Sequence, residues 1–181
     1  VPVLAGSIYW GANMSGAPWD LTLLTSWERD VAGKGVSIIH WGHFWDGGKG
    51  GYRAWSDGTI NNARSHGSIP MISWTPEGGD PARWPLRTII DGTHDAYIHQ
   101  FATDAKNWGY PFFLRIMHEM NGAWGYPWQE DSNGNSRGEF VQAWRHIIDI
   151  FNDVGVTNAS YVWCPNIDYP DSPNPTFASL Y

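Results

Sequence analysis

The residues best suited to chemistry follow an almost unbroken apolar segment, residues 110–117, in the middle of the chain. His118 and Glu119 come directly after it, and Trp124 and Trp128 follow shortly afterwards. A carboxyl group beside aromatic rings suits a carbohydrate site, because it can exchange a proton with a sugar oxygen while the rings stack on sugar faces. The alternative is a strand that surfaces and exposes a glutamate to solvent. One His beside one Glu is too few ligands for a metal centre, and no glycine-rich loop opens a nucleotide-binding helix here.

The composition narrows the classes of partner. The chain has 181 residues, 13 of them Trp, and a formal net charge of −7. This length fits one domain with a sizeable core, in which several of the Trp residues must lie. The negative charge argues against nucleic acid or an anionic membrane as a partner, and no apolar segment approaches the ~18 residues of a membrane span. Cys164 is the only cysteine, which excludes an internal disulfide and a cysteine metal cage, so we expect no metal or other cofactor.

Hydrophobic periodicity and glycine stops predict five strands separated by four helices. The predicted strands are residues 7–13, 36–45, 69–74, 110–117 and 161–164. The predicted helices begin near Asp20, Thr59, Thr93 and Ser136 and stop at Gly33, Gly67, Gly109 and Gly155. A proline-rich segment with one turn at residues 86–90 precedes the third helix. This alternation is typical of a parallel α/β sheet, where functional side chains collect at the ends of strands.

The segment LRIMHEMNGAWGYPW around Glu119 resembles the fourth-strand motif of glycoside hydrolase family 26, in which an Arg precedes His-Glu-Met-Asn-Gly. Residues 41–44 are similar to the Trp-His-aromatic end of the family's second strand, IPMISWTPE to its third strand and YVWCPN to its fifth. The similarity runs along essentially the whole chain in the expected order. It implies a (β/α)8 TIM barrel, of which residues 1–181 would be the N-terminal portion, with about five strands and four helices.

The same resemblance implies a retaining endo-β-glycanase that cuts internal linkages of a plant polysaccharide. β-Mannan is the favoured substrate because most of the family cuts it, and β-1,3-1,4-glucan and xylan are the alternatives. We expect secretion, since a polymer cannot enter a cell intact. A non-catalytic sugar-binding half-barrel is the competing class of protein. A self-contained doubly wound domain is a third possibility, but it needs a helix after the fifth strand and a phosphate-binding loop, and the sequence shows neither.

By the resemblance, Glu119 is the general acid/base. Arg115 should point into the barrel, and because an unpaired guanidinium group is costly there, we predict that it pairs with a carboxylate, the catalytic one being the candidate. Strand alternation places His118 opposite Glu119 unless the strand bends. The expected substrate-binding residues are His118, His43, Trp41, Trp74, Asn121, Trp124, Trp128, Trp163 and Asn166. A core role is the alternative for His43 and Trp74. The remaining histidines are predicted to be structural or exposed, namely His40, His66, His94, His99 and His146.

A retaining glycosidase needs a second carboxyl group about 5–5.5 Å from the first. The family's nucleophile is a glutamate on a late strand, for which this chain has no counterpart. Asp46 and Glu77 follow predicted strands but do not match that position, and Glu77 is the weaker alternative within the chain. A complete barrel also needs about 250 residues, and five strands leave two open edges. We therefore expect a longer polypeptide, or a second chain or fragment, to supply the rest of the barrel and the nucleophile.

Overall fold

The computed structural model describes residues 7–167 and residue 180. Its main sheet has five strands, β1 (Gly11–Ala12), β2 (Ile38–Phe44), β5 (Ile69–Thr75), β6 (Phe112–Ile116) and β7 (Ala159–Val162), with an antiparallel hairpin, β3 (Asp46–Gly48) and β4 (Gly51–Tyr52), after β2. The strand order is β1-β2-β5-β6-β7 and every pairing is parallel. The five predicted strands are thus confirmed, with β6 next to the centre of the sheet. Among the described residues, β1 and β7 are the edge strands.

Helices connect successive strands of this sheet. They are α1 (Thr22–Trp27), continued by a π-helical turn (Glu28–Ala32), then α2 (Asp57–Ser65), α3 (Leu86–Ile90), α4 (Asp95–Trp108) and α5 (Glu139–Val154). Gly109 and Gly155 follow α4 and α5 with φ of 77° and 79°, a left-handed conformation that glycine adopts without steric cost. Thr93 is not the cap of α4, because His94 precedes the helix and Thr93 instead donates to Asp91. No helix among the described residues is long and apolar enough to cross a membrane.

One face of the sheet packs against the helices, and Trp74 on β5 is at the centre of that contact. Its side chain is fully buried, stacks on Phe101 of α4 at 4.5 Å between ring centroids, and contacts Phe151 of α5 at 5.9 Å. Its Nε1 donates to the hydroxyl of Tyr97 at 3.0 Å. The predicted sugar contact of Trp74 is therefore wrong, and its core alternative is correct. Residues at alternate positions of a strand share a face, so this contact fixes which side of β5 faces the helices.

The opposite face of the sheet, called here the polar face, is defined by His40 of β2, Ser73 of β5 and Arg115 of β6. The parallel register places Ser73 directly beside Arg115. Hydrogen bonds join these side chains across the strands, so the polar groups satisfy one another within the sheet. A sheet with an apolar helix-packed face and a polar second face differs from a doubly wound sheet, in which helices cover both faces.

The β3–β4 hairpin lies in a glycine-rich segment for which the sequence analysis predicts no strand. Tyr52 of β4 stacks on Tyr97 of α4 at 4.4 Å, and its hydroxyl contacts Nδ1 of His94 at 2.7 Å. Arg83 lies over the Tyr52 ring at 4.5 Å and donates to Asp46 of β3 at 3.3 Å. These contacts attach the hairpin to the helix layer and fix its position beyond the end of β2.

Replacing Trp74 tests its position in the core. We expect Trp74→Ala to lower the free energy of unfolding by about 3–5 kcal/mol, because the variant loses a buried indole and leaves a cavity. Trp19→Ala is the control, since Trp19 is 58% exposed, and its effect should stay below about 1 kcal/mol. Urea-induced unfolding monitored by circular dichroism measures both. Equal losses in the two variants would contradict the packing described here.

Candidate functional site

Glu119 lies just beyond β6 at the carboxyl edge of the sheet. The backbone N–H of Met117 donates to Trp74 O at 3.2 Å and that of Glu119 donates to Cys164 O at 2.7 Å, so the segment is bonded to β5 on one side and to the chain just after β7 on the other. Met117 and Glu119 have φ of 45° and 53°. This left-handed conformation is uncommon for residues other than glycine, and such strain is concentrated at functional sites. The bend ends the strand alternation directly after β6.

Arg115 pairs with Glu119, as the sequence predicts. Its Nη2 lies 3.6 Å from Oε1 of Glu119, and its Nη1 donates to Ser73 Oγ at 3.1 Å. The side chains of Arg115 and Glu119 are 14% and 31% exposed, so the ion pair is partly shielded from water while the carboxyl group stays accessible. The guanidinium group thus limits the positions that the Glu119 carboxyl group can take.

The bend also brings His118 close to the polar face. Its ring lies 5.5 Å from the rings of Tyr126 and Trp128. Burial, and to a smaller extent the charges of Arg115 and His40, lower the pKa of His118 to about 4, so its ring is neutral near pH 7. Its buried Nδ1 makes no hydrogen bond within residues 7–167. The His118 ring as a whole is partly exposed and neutral, which suits a hydrogen bond with a sugar hydroxyl, and this role stays a prediction.

The aromatic residues after Glu119 divide into one exposed ring, one partly exposed ring and one buried ring. Trp124 is 57% exposed, so its predicted stacking on sugar remains a prediction. Trp128 is fully buried, donates from Nε1 to His118 O at 2.7 Å, and stacks beneath Tyr126 at 4.4 Å. The predicted sugar contact of Trp128 is therefore wrong, because its ring supports the site from below. Tyr126, which the sequence analysis did not select, presents the accessible ring of this stack.

Gln129 holds the loop between Glu119 and Tyr126 in place. Its side chain is buried, its Oε1 accepts from Tyr126 N at 2.8 Å, and its Nε2 donates to Glu119 O at 3.3 Å and to Gly122 O. Gly122 lies against the indole ring of Trp124, where a Cβ atom would overlap with the ring. Both contacts show that the positions of the loop and its aromatic side chains are determined by packing.

Glu77 is a second carboxyl group at this edge of the sheet. It follows β5 and accepts a hydrogen bond from Thr75 Oγ1 at 2.8 Å. Burial raises the pKa of Glu77, and the Thr75 hydrogen bond opposes that rise. Burial also raises the pKa of Tyr126, and the charges of Glu119 and Glu77 add to the increase. Glu77 and Glu119 follow the neighbouring parallel strands β5 and β6, so both lie at the carboxyl edge of the sheet.

Asn121 joins two loops of the site. Its Nδ2 donates to Asn166 O at 3.0 Å, and its Oδ1 accepts from Asn166 N at 2.7 Å. Asn121 is almost completely buried, and Asn166 Oδ1 accepts from Ile167 N at 2.9 Å. The structure thus gives Asn121 a positioning contact between the loops after β6 and β7 in place of the predicted substrate contact. The substrate contact of Asn166 stays a prediction.

Trp41 and His43 face the helix layer, so their predicted place in a pocket beside Glu119 is wrong. The predicted sugar contact of Trp163, which is partly exposed, stays a prediction. Trp41 and His43 of β2 line a cavity of about 210 Å³ on that side of the sheet. The His43 ring contacts Phe101 of α4, and its Nε2 donates to Arg53 O at 3.2 Å, which anchors the chain after the hairpin. Trp163 lies beside α5 residues in a groove on the same layer. The physical reason for the orientation of Trp41 and His43 is alternation, because these positions have the same phase as the buried residues of the neighbouring strands.

The sequence analysis assigned His40 to a structural or exposed position and did not consider Ser73. The structure places both on the polar face, where His40 Nε2 contacts Ser73 Oγ at 2.7 Å and His40 Nδ1 contacts Asn13 Nδ2 at 2.8 Å. Ser73 in turn accepts from Arg115. Alternation within β2 and β5 was the available signal, but it becomes informative only when one residue of each strand has been assigned to a face.

The buried His43 makes stability depend on pH. Burial lowers the pKa of His43 to about 4 from an ordinary value of 6.5. Between these pH values the His43 side chain is protonated in the unfolded chain but neutral in the folded chain. Stability is therefore retained above about pH 6.5 and lost as the pH falls toward 4. His43→Gln should reduce the loss of unfolding free energy between pH 7 and 4.5 by roughly 2–3 kcal/mol. Urea unfolding at both pH values measures this, with His99→Gln at an exposed position as the control. An unchanged loss in His43→Gln would contradict the burial argument.

Comparisons with known proteins agree with this architecture. Residues 87–175 match the family model described as glycosyl hydrolase family 26. Endoglucanase H of Acetivibrio thermocellus is 36% identical to this chain over 144 residues, which make up 77% of the chain and 15% of that protein. The chain therefore spans only a small part of this curated relative.

Solved structures share the fold at low sequence identity. The YdhT protein from Bacillus subtilis superposes with a TM-score of 0.63 and 19% identity over 87% of this chain and 56% of that chain. GH26A from Muricauda sp. superposes with a TM-score of 0.62 and 18% sequence identity, over 96% of this chain and 63% of that chain. The GH26 domain of PbGH26-GH5A endo-beta-mannanase/endo-beta-glucanase from Prevotella bryantii superposes with a TM-score of 0.57 and 14% sequence identity. The match covers 84% of this chain and 56% of that chain. The five-stranded parallel sheet is thus part of an α/β barrel, and the chain spans little more than half of each of these structures.

Proposed function

Since this chain belongs to glycosyl hydrolase family 26, we propose that residues 1–181 are the N-terminal portion of one catalytic (β/α)8 barrel, which hydrolyses internal β-linkages of a polysaccharide with retention of configuration. The observation that supports this proposal best is the Glu119 carboxyl group. It is 31% exposed at the carboxyl edge of the sheet and lies 3.6 Å from Arg115. Catalytic residues of such barrels lie at this edge.

Glu119 is the proposed general acid/base. In the first step it would protonate the glycosidic oxygen as the bond to the leaving sugar breaks, and in the second it would remove a proton from the attacking water. Both steps need a carboxyl group that reaches the substrate and keeps one position. Partial exposure supplies the first property, and the strained backbone with the Arg115 ion pair supplies the second.

The residues beside Glu119 suit sugar binding. Trp124 presents an exposed indole, and Tyr126 presents a ring that is supported by Trp128 beneath it. Aromatic rings of this kind stack on the C–H faces of pyranose rings. The neutral and partly exposed ring of His118 can form a hydrogen bond with a sugar hydroxyl. We assign these three side chains to the substrate groove.

The retaining reaction also needs a nucleophilic carboxylate about 5–5.5 Å from the acid. We propose that this carboxylate is a glutamate on the remainder of the barrel, supplied by a longer polypeptide or a second chain. Glu77 lies at the same edge, but its hydrogen bond with Thr75 and its partial burial suit a supporting position better than a nucleophile.

β-Glucan is the substrate that we propose to test first, because the relative with 36% identity is named an endoglucanase. That name belongs to a protein of which this chain matches 15%, so β-mannan remains the second candidate, on the ground that most of the family cuts it. Glucose and mannose differ in the orientation of one hydroxyl group. Either polymer is too large to enter a cell, so we propose that the enzyme acts outside the cell.

Replacing Glu119 tests the proposal. Glu119→Gln in the full-length protein should lower the turnover of polysaccharide by about 10²–10⁴-fold, because the amide cannot donate a proton as an acid does. Binding of the polysaccharide should be largely unchanged. Release of reducing sugar from β-1,4-glucan, mixed-linkage glucan, mannan and xylan measures turnover and identifies the substrate.

Asp149→Asn is the matched control, because it removes one negative charge at an exposed position of α5. We expect it to retain wild-type activity.

With Glu119→Ala and an activated aryl glycoside, added azide should restore turnover and form a β-glycosyl azide, since small anions can enter the space left by an acid/base side chain. Activity of Glu119→Gln within tenfold of wild type would reject the acid/base assignment.

A further inference from the structure

The polar face contains one continuous line of hydrogen bonds that runs across the strands to the Arg115–Glu119 pair. Asn13 Nδ2 lies 2.8 Å from His40 Nδ1, His40 Nε2 lies 2.7 Å from Ser73 Oγ, and Ser73 Oγ lies 3.1 Å from Arg115 Nη1. Its members come from β2, β5, β6 and the end of β1. Residues far apart in the chain therefore converge on one guanidinium group.

The direction of each hydrogen bond follows from the chemistry of its groups. Arg115 can only donate, so Ser73 Oγ accepts from it. Burial and the charge of Arg115 lower the pKa of His40, which leaves its ring neutral with a single N–H. With Asn13 donating to Nδ1, that N–H is on Nε2 and is donated to Ser73. Ser73 Oγ therefore accepts two hydrogen bonds and is the junction of the line.

Ser73 is buried, with 3% of its surface exposed, so water cannot readily replace it as the acceptor. Without the hydroxyl, Arg115 Nη1 and His40 Nε2 would each lose an acceptor in a partly buried setting, and this loss is costly. Arg115 would then be free to reorient. The Arg115–Glu119 contact of 3.6 Å is longer than a hydrogen bond, so Arg115 restricts the Glu119 carboxyl group by charge attraction and only while Arg115 itself keeps its position. Its geometry depends on how Arg115 is held from the other side.

We propose that Ser73, supported by His40 and Asn13, is a positioning residue that holds Arg115 so that the Glu119 carboxyl group is aimed at the glycosidic oxygen. This inference rests on the proposed acid/base role of Glu119. None of the three residues needs to contact substrate for this role. Their effect is on the step in which the leaving group is protonated.

Leaving-group dependence separates this role from a general loss of structure. 2,4-Dinitrophenolate is a good leaving group and departs from its β-glycoside without being protonated. The leaving group of an unactivated phenyl β-glycoside needs a proton from the general acid. In the full-length protein, we expect Ser73→Ala to lower kcat/KM for the phenyl glycoside by about tenfold or more, while the value for the dinitrophenyl glycoside stays within about threefold. A variant that is merely less folded would lose the same factor with both substrates.

Ser68→Ala is the matched control. Ser68 is also a buried serine, and its Oγ contacts His66 Nδ1 at 2.9 Å and donates to Val36 O, but it precedes β5 at the far end of the strand from Glu119. We expect this variant to be less stable yet to keep the wild-type ratio of the two kcat/KM values. His40→Leu is a second test of the line, and it should shift the ratio in the same direction as Ser73→Ala, by a smaller factor, because Arg115 keeps its acceptor.

Crystal structures of the wild type and Ser73→Ala provide a readout that does not depend on activity. The Arg115–Glu119 distance of 3.6 Å should lengthen beyond about 4 Å, the usual limit of an ion pair, in the variant. An unchanged distance, or equal losses with both glycosides, would overturn the positioning role. If Glu119→Gln instead retains full activity, the acid/base proposal fails, while the distance still decides whether Ser73 positions Arg115.

Discussion

A guanidinium group inside a parallel sheet must be neutralised and hydrogen-bonded, and this constraint organises the site. Arg115 is on β6, and its side chain is only 14% exposed. Its charge is compensated by Glu119, and one of its donors is satisfied by Ser73. The cost of burying the charge is therefore offset only when the neighbouring strand and the bend after β6 are in place. Formation of the sheet and formation of the site are consequently coupled.

The two faces of the sheet separate stability from chemistry. Trp45, Trp74 and Trp84 are fully buried on or beside the helix layer, where aromatic contacts with α4 account for much of the packing. The exposed Trp124 lies at the carboxyl edge. Most of the described indoles therefore serve the core, whereas Trp124 is free to stack on sugar, as we propose. Composition alone cannot separate these uses, because an indole that packs against Phe and one that stacks on a sugar are chemically the same group.

The prediction of helices and strands was correct where the sequence carries strong local signals, such as glycine stops and apolar segments. Glycine stops after α4 and α5, and the apolar segments of the central strands, gave the correct order of strands and helices. The Arg115–carboxylate contact also followed from an elementary cost, that of an unpaired buried charge. The β3–β4 hairpin was missed because its strands are very short and glycine-rich, and its position depends on distant contacts such as Tyr52 with Tyr97.

By itself, the sequence determined the parallel α/β architecture, the family, and the location of Glu119 at the end of a buried strand. Only the tertiary structure decided which side of the sheet each side chain occupies. His43 faces the helices while His40 faces the polar side, although both are histidines on one strand. The reason is that each face of β2 carries one His among apolar or small residues, so the sequence pattern does not show which face is buried, and a shift of one residue would exchange the faces. Pairing with β5 removes this ambiguity.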